Sequence, residues 1–185
     1  MILDSYSLRD LTPDDEDNVI TAIQYPNRVC SVRLGVTGLQ LERMVTLMQE
    51  PFPMLTYLTF VVLEDAPVIP AEFLGGSAPC LQGITLSGIS FPALPTLLFS
   101  TSNVIDLSLE NIPPAGYISP DTMGACLAAL PRLESVTIWF LSATPHPGQI
   151  RLPPVTRTVL PSLTSFDFQG ANEWRTSFTR RMALN

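Results

Sequence analysis

One short phrase recurs six times along this chain, and that recurrence limits the fold more than any other feature. The pattern apolar-x-x-apolar-x-apolar appears as Val29-Val32-Leu34, Leu55-Leu58-Phe60, Leu81-Ile84-Leu86, Val104-Leu107-Leu109, Leu133-Val136-Ile138 and Leu163-Phe166-Phe168. Its first positions are 26, 26, 23, 29 and 30 residues apart. Side chains alternate across a strand, so the fourth and sixth positions share one face. A single hexapeptide cannot bury that face. Six of them side by side form a parallel ribbon with a continuous apolar layer, provided that each return segment crosses over behind it.

The return segments fit that role. After the first strand, Leu41, Met44, Val45 and Met48 fall at helical spacing and stop at Pro51, with both methionines read as core filler. After the fourth, Ser119-Pro120-Asp121 is an N-cap, a first-turn proline and an acid. Met123, Cys126, Leu127 and Leu130 then make one stripe, ended by Pro131. Shorter crossovers run from Pro70 to Leu74 and from Phe91 to Phe99, where Leu94, Leu97 and Leu98 turn inward. The fifth, from Thr144 to Pro161, reads as a proline-rich loop. The 18 prolines are spread as punctuation between short elements. The expected fold is α/β: an irregular leucine-rich-repeat solenoid with about six parallel strands and helical or loop crossovers on the other face. Where a ninth-position asparagine would build a ladder, the chain has Thr37, Leu63, Ile89, Ile112, Leu141 and Ala171.

Three parts are expected. Residues 1–28 form an acidic capping segment, in which Thr12-Pro13-Asp14 starts a helix whose Val19, Ile20 and Ile23 cover the open end of the first strand. Residues 29–170 carry the six repeats. Residues 171–185, with Glu173-Trp174-Arg175 and Arg180-Arg181, leave the pattern as a basic tail and suggest a truncated member of something longer.

Phrases around the repeats add specificity: LERMVTLMQEPFP (41–53), FLGGSAPCL (73–81), FPALPTLL (91–98) and IRLPPVTRTVLP (150–161). On these the chain resembles the F-box-like leucine-rich-repeat proteins of basidiomycete fungi, over residues 14 to about 170. The resemblance implies the substrate-recognition arm of an SCF-type ubiquitin ligase, in which an F-box docks on the Skp adaptor and the repeats select the target. Only 28 residues precede the first repeat, with room for one helix, so the resemblance covers the repeat portion alone. The Skp adaptor is an expected partner only if an F-box is supplied elsewhere. The alternatives are a truncated or decoy paralogue without a ligase role, or a general scaffold repeat protein.

Composition excludes other classes. A net charge of -7 disfavours nucleic acid, which demands a basic stripe. No apolar run approaches the roughly 18 residues of a membrane span. The N-terminus lacks the basic and apolar regions of a secretory signal, and Cys30, Cys80 and Cys126 are an odd number lying far apart, which points to reduced thiols in the cytoplasm or nucleus. All ten basic residues are arginine, so the chain offers a ubiquitin ligase no lysine side chain. The single histidine, His146, lies in a Pro-His-Pro-Gly turn, and no catalytic, phosphate-binding, cofactor or zinc motif is present; no cofactor and no enzyme activity are expected.

The expectation is therefore a protein-binding module. Its surface is the ribbon face carrying the third, fifth and seventh positions: Arg33, Tyr57, Thr59, Thr85, Asp106, Ser108, Glu110, Thr137, Trp139, Asp167 and Gln169. Trp139 is the expected anchor. Asp106, Glu110 and Asp167 give the C-terminal half a negative cast, suited to a partner segment with a basic residue. Packing of Trp139 beneath the fifth loop is the alternative.

Overall fold

The computed structural model describes residues 1–5, 11–62, 64, 67–141, 158–170 and 182–183. Seven strands form one all-parallel sheet, neighbours in space being successive in the chain: β1 (Ile2–Ser5), β2 (Ser31–Val36), β3 (Tyr57–Val62), β4 (Gly83–Ser87), β5 (Asp106–Ile112), β6 (Ser135–Phe140) and, after a short β7 (Thr158–Val159), β8 (Ser165–Gln169). β7 pairs in parallel with β9 (Met182–Ala183) in a separate two-stranded sheet. Four helices accompany the sheet: α1 (Pro13–Ile23), α2 (Gly38–Leu47), α3 (Leu94–Phe99) and α4 (Pro120–Ala128). An open parallel sheet in chain order fits a solenoid-like layout.

All six expected strands are present, and the fourth and sixth positions of each lie in register across the sheet. Val32, Leu58, Ile84, Leu107, Val136 and Phe166 make one row, and Leu34, Phe60, Leu86, Leu109, Ile138 and Phe168 the next. From β2 to β6 these side chains are buried and join the inner faces of the helices in one cluster, including Leu41, Met44 and Val45 of α2, Leu94, Leu97 and Leu98 of α3, and Met123, Cys126 and Leu127 of α4. Burial of each such side chain contributes about 1.5–3 kcal/mol.

A repeated turn feeds four of the strands, β3, β4, β6 and β8. The N–H of the first position donates to the carbonyl three residues earlier: Leu55 to Phe52, Leu81 to Ala78, Leu133 to Leu130 and Leu163 to Leu160, at 3.1, 3.1, 3.2 and 3.3 Å. The residue after each of those acceptors is proline (Pro53, Pro79, Pro131, Pro161), whose fixed φ suits the second position of a turn. Four of the 18 prolines are thereby explained. The second positions then link one repeat to the next. Thr56 donates through its N–H to the Cys30 carbonyl, Gln82 to Thr56, Ile105 to Gln82, Glu134 to Ile105 and Thr164 to Glu134, all at 2.7–2.8 Å. This main-chain ladder runs along the structure in the absence of an asparagine spine.

Two helix starts are as expected. Thr12 accepts from the Asp15 N–H at 3.2 Å, and Ser119 from the Thr122 N–H at 3.2 Å. α2 adds a reciprocal cap, Thr37 accepting from the Gln40 N–H while Gln40 accepts from the Thr37 N–H. The N-terminal cap differs from expectation. α1 buries Val19 and Ile23 and packs beside α2, while the edge of β2 is taken by an additional strand, β1, paired Leu3 to Val32 and Ser5 to Leu34. The Met1 carbonyl accepts from the Cys30 N–H, extending the second-position ladder by one step. Most of the fifth crossover, including His146, and most of residues 171–185 lie outside the described residues.

Candidate functional site

The sheet has a second face, opposite the helices, whose side chains form three rows. The first runs Ser31, Tyr57, Gly83, Asp106, Ser135, Ser165, and the second Arg33, Thr59, Thr85, Ser108, Thr137, Asp167. The third runs Gly35, Val61, Ser87, Glu110 and, beyond an interruption, Trp139 and Gln169. All eleven expected binding residues fall on this face. Arg33, Tyr57, Asp106, Asp167 and Gln169 are exposed, and Thr59, Thr85, Ser108, Glu110, Thr137 and Trp139 are half-buried. Arg33, Asp106, Glu110 and Asp167 make no ion pair among the described residues; the one described pair, Arg43 with Glu16 at 3.2 Å, lies between α2 and α1.

The rows are not uniform. Near the N-terminal end the Tyr57 ring lies across the neighbouring strand, over Gly83. A Cβ on Gly83 would sit 2.8 Å from Tyr57 Cδ1, so only a glycine leaves room for the ring. The Arg33 guanidinium carbon is 5.8 Å from the ring centroid, within cation–π range. The Tyr57 hydroxyl donates to Gln82 Oε1 at 3.3 Å. A 41% exposed aromatic ring is thus fixed at its edge, its face and its hydroxyl, and forms a shelf on an otherwise polar surface. This shelf is the feature that residue-by-residue reading missed. Its signal was present: tyrosine and glycine occupy the same third position in consecutive repeats.

Toward the other end, the β5–β6 register shifts between Leu109 and Ile112, so Glu110 and Asn111 together face Trp139. Asn111 takes φ 50°, a left-handed conformation that asparagine tolerates better than most residues, and its amide donates to Ser87 Oγ at 3.0 Å. Glu110 accepts from Ser108 Oγ at 2.8 Å. Trp139 is less open than expected. Its indole Nε1 is inaccessible and has no hydrogen-bond partner among the described residues. The freely exposed aromatic side chain on this face is Tyr57.

A small apolar cleft of about 20 Å³ lies behind the sheet between Leu86, Leu109, Ile138 and Met123. Its lining is hydrocarbon and a glycine, without the polar groups that orient a bound substrate. Among the described residues no group of three His, Cys, Asp or Glu could hold a metal ion, and no helix is long and apolar enough to cross a membrane. Cys126 is buried, which pushes its thiol up to about 11, away from nucleophilic use, while a backbone hydrogen bond opposes the shift. No family model, curated protein or solved structure matches this chain.

Proposed function

We infer that the chain is a leucine-rich-repeat module that binds another protein through the open face of its sheet, rather than an enzyme. The observation that carries this reading is the contrast on that face: a fixed, exposed Tyr57 ring and four charges without ion pairs among the described residues stand on a sheet whose other side is packed against the helices. Aromatic and arginine side chains held in place supply contact area at low entropic cost, which is why they dominate interface energetics. The six in-register strands and the second-position ladder support the repeat assignment.

The resemblance to fungal F-box-like repeat proteins makes the bound protein a substrate destined for ubiquitination, at a cytoplasmic or nuclear location. The absence of lysine suits that role, since the receptor segment then presents no side-chain amine to the ligase it serves. The alternative is a paralogue that binds the same class of target without a ligase.

Affinity capture from a fungal lysate, wild type against Thr85→Arg, tests both levels. Thr85 is central on the open face, and an arginine there fills the surface without disturbing the buried rows. Binding partners lost with Thr85→Arg are expected. Capture unchanged by the substitution would remove the open face from consideration. Co-purification of a Skp-type adaptor distinguishes the ligase receptor from the paralogue.

A further inference from the structure

The open face has an internal order that selects among partners. Four adjacent strands present, in sequence, Arg33 on β2, the Tyr57 ring rooted on β3 and lying over Gly83 on β4, and Asp106 on β5. Arg33, with Asp4 of β1 beside it in register, and Asp106 therefore flank an aromatic shelf. Parallel strands are spaced about 4.8 Å apart, so β2 and β5 are separated by roughly 14 Å. In an extended peptide, residues i, i+2 and i+4 point the same way, and i and i+4 are about 13 Å apart. Arg33 also lies two residues farther along its strand than Asp106 does, about 6.6 Å, so the two positions are roughly 16 Å apart and the long arginine side chain makes up the difference.

We propose that the open face recognises an extended peptide segment of another protein that crosses the strands and carries the pattern acid-x-apolar-x-base, with the acid on Arg33, the apolar side chain on the Tyr57 shelf and the base on Asp106. The inference rests on the protein-binding reading above and adds the chemistry of the partner. Charge complementarity sets which partner is accepted. A segment with two bases meets Arg33 as a like charge, and one with two acids meets Asp106 as a like charge. The shelf adds the apolar contact, which is only available because Gly83 has no side chain. Glu110 and Asp167, farther along the face, favour a further basic residue beyond the motif.

Panning a phage-displayed library of random nine-residue peptides against the full chain tests this, with Arg33→Glu and Thr85→Arg as parallel targets. From the wild type, acid-x-apolar-x-base peptides are expected, in either chain direction because an extended segment can lie both ways. A synthetic Ser-Glu-Ser-Leu-Ser-Arg-Ser peptide is expected to bind Arg33→Glu about tenfold more weakly than wild type, while the Arg33→Glu selection shifts to peptides with bases at both ends. Peptides that lack the pattern but are lost with Thr85→Arg would overturn the motif and leave open-face binding standing. Selections in which no peptide depends on Thr85 would overturn both.

Discussion

The two faces of one sheet obey different rules. Behind it, Val32, Leu34, Leu58, Phe60, Ile84, Leu107, Val136 and Ile138 are 0–1% exposed, and each contacts a layer that reaches to the helices. In front, the alternate residues of the same strands are mostly serine, threonine, glycine and charges, with the Tyr57 ring exposed over Gly83. The alternation of a strand places these two surfaces one residue apart. What differs is what a substitution can cost: behind the sheet it alters the fold, and in front it alters what the fold can hold. A protein can vary its specificity along such a face at little risk to its stability.

The largest effect should come from the inner face. Leu107→Ala leaves a cavity at a fully buried position and should lower unfolding free energy by about 2–5 kcal/mol, whereas Ser108→Ala beside it should change it by less than about 0.5 kcal/mol. Urea titration of the two variants measures the difference. Equal losses would mean that the open face is also structural.

A pair of glycines sharpens the contrast. Gly88 has φ +73°, and a Cβ there would sit 2.2 Å from the Val62 carbonyl oxygen, which is backbone and cannot move aside. Gly88→Ala should cost at least about 2 kcal/mol. At Gly83 a Cβ meets only the Tyr57 ring, the far end of a side chain that can swing away. Gly83→Ala should then cost under about 1 kcal/mol while displacing the shelf and weakening partner binding. Thermal melts read the first effect, and titration of a bound peptide reads the second.

The cysteines give an effect confined to alkaline pH. Exposed Cys80 should react with a thiol reagent in the folded protein, and buried Cys126 only on unfolding. Because burial raises the Cys126 pKa from 9.0 to about 11, the folded state holds its proton more tightly than the unfolded chain. The thiol's contribution to stability is therefore complete below pH 9 and lost progressively between pH 9 and 11. Denaturation midpoints across that range check the sign; a Cys126→Ala variant should lack this part of the pH dependence.

β2 to β6, β8 and α2 were legible in the sequence because their signal is periodic, with apolar spacings of two and of three to four, whereas the two-residue β7 falls in a segment that reads as a loop. α1 and α4 were legible through their caps, Thr12 and Ser119. β1 was not, for a definite reason. Its register puts Leu3 at the fourth position and Ser5 at the sixth, so the first position falls before residue 1 and the sixth is polar. The second-position ladder was equally hidden, since main-chain hydrogen bonds are made by Cys30, Thr56, Gln82, Ile105, Glu134 and Thr164 alike. On the candidate site, alternation placed all eleven residues on the face opposite the helices. Which aromatic side chain stands open could not be read that way: Trp139 faces a register shift produced by Asn111, and the Tyr57 shelf depends on a glycine in the next repeat.

Site-specific photo-cross-linking tests the claim of an open binding face most directly. A benzophenone amino acid is placed either at Thr85, in the middle of that face, or at Glu42, exposed on α2 behind the sheet. In the presence of captured partner, irradiation should give a covalent adduct from position 85 and none from position 42. Adducts from position 42 alone would place the partner on the helices and contradict the account.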